Sequence, residues 1–103
     1  MPKFVFAYHG GKRPETPEEG ARVMALWTQW FQEMGDNVVD GGNPVGMSQT
    51  VTSDGVADGG GANPISGYTL VSASDMQGAT DMAKGCPILL DGGSVEVAEA
   101  MEM

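Results

Sequence analysis

His9 is the only histidine among the 103 residues, and it ends the apolar run Phe4-Val5-Phe6-Ala7-Tyr8 just ahead of Gly10-Gly11. Imidazole exchanges protons near neutral pH because its ordinary pKa is about 6.5. A carboxylate accepting from one ring nitrogen would fix the tautomer and leave the other nitrogen to move a proton. Asp58 is the first candidate for that carboxylate, since its loop precedes a strand expected near the first one; Asp36 and Asp40 follow. Two plainer roles stand beside catalysis: His9 touching a ligand without reacting, or His9 bonding a loop carbonyl at a strand end. Gly59-Gly60-Gly61-Ala62-Asn63-Pro64 reads as a turn able to close over a pocket, with Asn63, Ser66 and Tyr68 as polar ligand contacts and Tyr8 beside His9 as a fourth.

Other chemistries find little support. The glycine run has neither the spacing nor the lysine of a phosphate-binding loop, and no dinucleotide fingerprint opens a helix. One histidine, one isolated cysteine and scattered acids make no transition-metal set, so the expectation is no metal and no cofactor. Asp54 to Gly59 lacks the ligand period and terminal glutamate of a calcium loop. Cys86, in an apolar run before Pro87, reads as a buried, inert thiol.

These side chains need elements to hold them. Lys3 to His9 alternates as a strand, with Phe4, Phe6 and Tyr8 on one face and Val5, Ala7 and His9 on the other. Both faces are largely apolar, so the strand is expected to be central and covered on two sides. Thr16-Pro17-Glu18-Glu19 starts a helix: threonine caps, proline suits the first position, and Glu19 completes a capping box. The helix is expected to run to Met34 and stop at Gly35, with Met24, Trp27, Phe31 and Met34 on one face and Trp30 to its side. Val38-Val39, Ser48 to Ser53, Tyr68 to Ala73 and Ser94 to Ala98 read as further strands. Ser74-Asp75-Met76-Gln77 opens a short second helix ending near Lys84-Gly85. Asp58 to Gly67 reads as loop.

The order β-α-β-β-α-β predicts an α+β fold: a ferredoxin-like antiparallel sheet in a single domain, residues 1–103, with both helices on one face. Its other face stays bare and apolar, and pairing two sheets would cover it, so a homodimer is expected. Five basic against fourteen acidic residues give a formal charge of −9 and no basic stripe, which argues against nucleic acid as a partner. No apolar run approaches the roughly 18 residues that span a bilayer, and Met1-Pro2-Lys3-Phe4 lacks the features of a signal peptide. The lone cysteine fits a reducing compartment, and a cytoplasmic location without membrane partners is expected.

Tyr8-His9-Gly10-Gly11, Thr16-Pro17-Glu18-Glu19, Gly35-Asp36, Asp58-Gly59, Gly67-Tyr68 and Gly93-Ser94-Val95-Glu96-Val97, taken in order, resemble the YCII-related proteins, close to the DGPF-domain branch. The resemblance implies ferredoxin-like subunits paired as a dimeric α/β barrel, and a small organic ligand in a cleft near His9. Proton transfer by a histidine–aspartate pair is part of what it implies; Asp58 as the partner of His9 comes from the position of its loop in this chain. This chain has Asp58-Gly59-Gly60-Gly61 where that branch reads Asp-Gly-Pro-Phe, and its histidine ends the first strand rather than lying near the first helix. The competing reading is a non-enzymatic interaction or structural domain whose apolar sheet face serves dimerisation.

Overall fold

A computed structural model describes all 103 residues. β1 (Lys3–His9) is followed by α1 (Pro17–Met34), a single 3₁₀ turn, and β2 (Val38–Asp40). A hairpin of β3 (Gln49–Thr52) and β4 (Gly55–Asp58) leads to β5 (Ile65–Ser72), α2 (Met76–Ala83), a second 3₁₀ turn (Pro87–Asp91) and β6 (Ser94–Ala100). The main sheet has the order β2-β5-β1-β6 and is antiparallel throughout. That is the strand order of a ferredoxin-like α+β fold, with the hairpin as an insertion between its second and third strands.

Local chemistry sets both helices. Thr16 Oγ1 accepts from the Glu19 amide at 3.1 Å, while the Glu19 carboxylate reaches back to the Glu15 amide at 3.2 Å, which satisfies one donor of the first turn and one just ahead of the cap. The cap of α2 falls on Asp75, one residue later than Ser74, because its carboxylate takes the Gly78 amide at 2.8 Å. Phe4, Phe6 and Tyr8 point from β1 into one core with Val71 of β5, Trp30 and Met34 of α1, and Ala79 and Ala83 of α2. Both helices therefore cover the same sheet face. Phe6 stacks on Trp30 with centroids 6.1 Å apart, and the indole N–H donates to the Met82 carbonyl at 3.0 Å, tying α1 to α2.

Three expectations change. Ser48 to Ser53 is no member of the main sheet: its core, β3, pairs with β4 in a separate two-stranded sheet. Period-2 alternation identifies a strand but not its partner. The third main-sheet strand starts at Ile65, inside the expected loop, because Gly67 belongs to the ladder. A Cβ there would press within 3.3 Å of the Asn43 carbonyl oxygen, the Pro44 backbone and the Tyr8 ring, so glycine allows the chain to pass. In α1 it is Trp30, not Trp27 or Phe31, that enters the core. β2 is only three residues long, so on that side the sheet stops short beneath the helix and leaves Trp27 and Phe31 half-buried.

Candidate functional site

The end of β1 is irregular. Tyr8 pairs with Gly67 and His9 with Ile65, so Ser66 is an extra residue in β5, a bulge of the kind that re-aims side chains. Beyond Asp40 the chain continues as a strap over the edge of β5. Asn43 accepts from the Tyr68 amide at 3.2 Å, Val45 donates to the Ser66 carbonyl at 3.0 Å, and Pro44 bridges Gly67. Gly42 sits at φ +71° with its Cα turned into the Tyr68 peptide, where no side chain fits.

Between this strap and α1 lies a cleft of about 570 Å³, within the range typical of small-molecule sites. Val23, Met24, Trp27 and Phe31 form its helical wall, Tyr8 and Thr69 its floor, and Gly41 to Pro44 its rim. Tyr8 and Trp27 meet edge to face with centroids 5.2 Å apart. No acidic, basic or histidine side chain lines the cleft. Its polar groups are few. The Tyr8 hydroxyl donates to Thr69 Oγ1 at 2.7 Å, which donates onward to the Gly41 carbonyl at 2.9 Å. Burial pushes the Tyr8 phenol well above its usual range, partly offset by Thr69 and reinforced by nearby Cys86, so the hydroxyl stays protonated. Ser66 also belongs to the lining, and its hydroxyl is buried with no hydrogen-bond partner, a state costing about 1–3 kcal/mol until something pairs with it.

A slightly larger hollow of about 670 Å³ lies between the first and last residues, but every residue around it is exposed. It is open surface between chain ends rather than a site. Neither ring-sized walls nor a buried polar group distinguishes it.

His9 stands apart from the cleft. Its Nδ1 lies 3.0 Å from the Asn63 carbonyl oxygen and 3.2 Å from that of Pro64, and its Nε2 lies 3.0 Å from Glu96 Oε1. The side chain is 13% exposed and faces acceptors on both sides. Neutral imidazole has one N–H, so only the doubly protonated ring donates to both. Asp58 does not reach it. At the end of β4 its carboxylate accepts from Gln49 Nε2 at 3.3 Å, across a hairpin separate from the main sheet. The carboxylate against His9 is Glu96, two residues along β6 from Ser94, the register partner of His9.

Of the residues singled out in the sequence, Tyr8, Ser66 and Tyr68 line the cleft, and Asn63 meets His9 through its backbone carbonyl. Trp27, Phe31, Gly42 and Asn43 also line the cleft, and no sequence motif marks them as a site. The half-apolar pattern of α1 is their only trace in the sequence. Cys86 is buried, and desolvation pushes its thiol up to about 12, which leaves no thiolate at neutral pH. No group of three or more His, Cys, Asp or Glu side chains comes together to hold a metal ion, and no helix is long and apolar enough to cross a membrane.

The architecture is thus an α+β, ferredoxin-like domain with an apolar cleft at one sheet edge. It is similar to the structure of 5-chloro-2-hydroxyhydroquinone dehydrochlorinase (TftG) from Burkholderia phenoliruptrix AC1100, solved in complex with 2,5-dihydroxybenzoquinone. The TM-score is 0.58 at 12% identity over 100% of this chain and 96% of that one, so the likeness is one of fold. No protein-family model matches the chain, and no curated protein matches it in sequence.

Proposed function

We propose that this protein is a YCII-related homodimer of the cytoplasm that binds a small, uncharged, ring-bearing organic molecule in the cleft between α1 and the strap. The observation that carries the reading is the lining itself: aromatic and aliphatic walls, one unpartnered hydroxyl, and no charged side chain. Transferring a carboxylate or phosphate into such a cleft without a counter-charge is costly, and the formal charge of −9 adds repulsion. A flat ring that gives up about 150 Å² of apolar surface gains roughly 4 kcal/mol from burial, which offsets part of the cost of immobilising it. The ligand-bound neighbour of the same fold supports a small molecule as the occupant. The homodimer is supported by the uncovered sheet face, where Val5, Ala7 and Leu70 are only half-buried. The acidic balance supports the absence of nucleic-acid partners.

The reading does not require proton transfer. A His9–Asp58 pair has no support in the geometry, and the His9–Glu96 pair lies outside the cleft lining. That position favours the second reading, a non-enzymatic structural dimerisation domain in which His9 only ties elements together. Titration with 4-ethylphenol, followed by tryptophan fluorescence, separates the two. Binding at micromolar to low-millimolar concentration, with 4-hydroxybenzoate at least tenfold weaker, is the expected result. Failure of both compounds, and of uncharged naphthol, would leave the structural reading in place.

A further inference from the structure

All eight residues of β3 and β4 are exposed, and neither strand buries a side chain against the body. The hairpin is nonetheless well built. Its four rungs run from Gln49–Asp58 to Thr52–Gly55; the Gly59 amide donates to the Ser48 carbonyl at 2.8 Å, and Thr50 Oγ1 to the Gly59 carbonyl at 2.7 Å. Val51 and Val56 face each other on one side of it, 74% and 63% exposed. A two-stranded hairpin in water is marginal on its own, and an exposed pair of β-branched apolar residues adds nothing until it is covered.

The whole molecule has surface to spare. It spreads over 43 × 42 Å but is only 18 Å thick. It exposes 7069 Å², whereas a folded monomer of 10.7 kDa exposes about 5,500 Å². The difference, roughly 1,500 Å², exceeds the ~800 Å² that each partner contributes to a standard interface. Val51 and Val56 of the hairpin are among the exposed large apolar side chains, and Val5, Ala7 and Leu70 of the open sheet face are half-buried. The hairpin brings two acids, Asp54 and Asp58, and no base, so a polyanion is a poor match for it. His9 matters here as well. Its Nδ1 holds the carbonyls of Asn63 and Pro64, on the segment that returns from β4 to the sheet, while Nε2 engages Glu96 of β6.

We propose that the β3–β4 hairpin is an arm that packs against a second copy of this chain, with Val51 and Val56 in the contact and His9 pinning the root of the arm to the sheet. The inference rests on the homodimer proposed above and assigns it a contact beyond the sheet face. The test is sedimentation equilibrium of the full chain against the double variant V51K/V56K and against His9→Ala. The wild type is expected to dimerise, and the double variant to raise the dimer dissociation constant at least tenfold while far-UV circular dichroism and 4-ethylphenol binding stay unchanged. His9→Ala should give a smaller rise in the same direction. A wild type that is monomeric at every concentration overturns both the arm and the homodimer. A dimer whose constant the double variant leaves alone overturns the arm only. Hydroxyl-radical footprinting of the wild type needs no variant: protection of Val51 and Val56 that grows with dimer concentration supports the arm, and constant oxidation there overturns it.

Discussion

Gly42→Ala tests the strap that forms the rim of the cleft. The residue sits at φ +71°, where an L side chain costs about 1–2 kcal/mol. Its new Cβ would overlap the Tyr68 carbonyl oxygen, lie 2.7 Å from the carbonyl carbon and 3.0 Å from ring atom Cδ2. Strap and β5 must move apart, which for a buried overlap costs about 1–3 kcal/mol. The bond from the Tyr68 amide to the Asn43 carbonyl, 3.2 Å long, is lost in doing so, for about 1 kcal/mol more. Together these come to about 3–6 kcal/mol, a large part of the 5–15 kcal/mol that holds a typical domain. The neighbouring Gly41→Ala is the control, since its Cβ meets nothing within 4 Å and its φ is not positive; it should stay within about 0.5 kcal/mol of wild type. Urea denaturation of both variants at one fixed protein concentration reads the difference. A Gly42→Ala midpoint equal to that of Gly41→Ala would refute the packing of strap on strand.

Three further outcomes follow from buried groups and caps. Thr69→Val keeps the shape of the cleft floor but strands the Tyr8 O–H and the Gly41 carbonyl, and should cost about 1–3 kcal/mol in urea titrations. Cys86 keeps its proton in the folded chain up to about 12, against 9.0 unfolded. Its contribution is therefore present below pH 9 and lost progressively as the pH rises toward 12, with the raised Tyr8 phenol acting in the same direction. Stability followed from pH 8 to 11 should fall steeply, and a thiol reagent at pH 8 should label Cys86 only in denaturant. Thr16→Ala removes the α1 cap at 3.1 Å and should cost about 1 kcal/mol, measured by thermal melting.

Local chemistry was legible in the sequence; partnership was not. Thr16-Pro17, the capping glutamate and Gly35 delimit α1 as expected because caps act within one turn. The alternation of Phe4, Phe6 and Tyr8 marks the core face of β1 because the side-chain period of a strand is two. Glu96 lies 87 residues from His9, and nothing local distinguishes it from Asp58; only the register of β6 on β1 does. The cleft was hidden for a similar reason. Helical period shows that Trp27, Trp30 and Phe31 are near one another, but which of them is covered depends on how far the sheet extends beneath them. β2 ends at Asp40, and two of the three are left to wall a pocket. In the sequence Ser66 reads as part of a loop, yet it belongs to a strand bulge.

The cleft is the centre of this account, and the location of a bound ring tests it most directly. Two-dimensional ¹H–¹⁵N NMR of the labelled protein, titrated with 4-ethylphenol, reports on every amide and on both indoles. Shifts are expected at the Trp27 indole and at the amides of Gly42, Asn43, Ser66 and Tyr68, with the His9 amide unmoved. Shifts centred instead on His9, Asn63 and Glu96, or on the hollow between the chain ends, would contradict it.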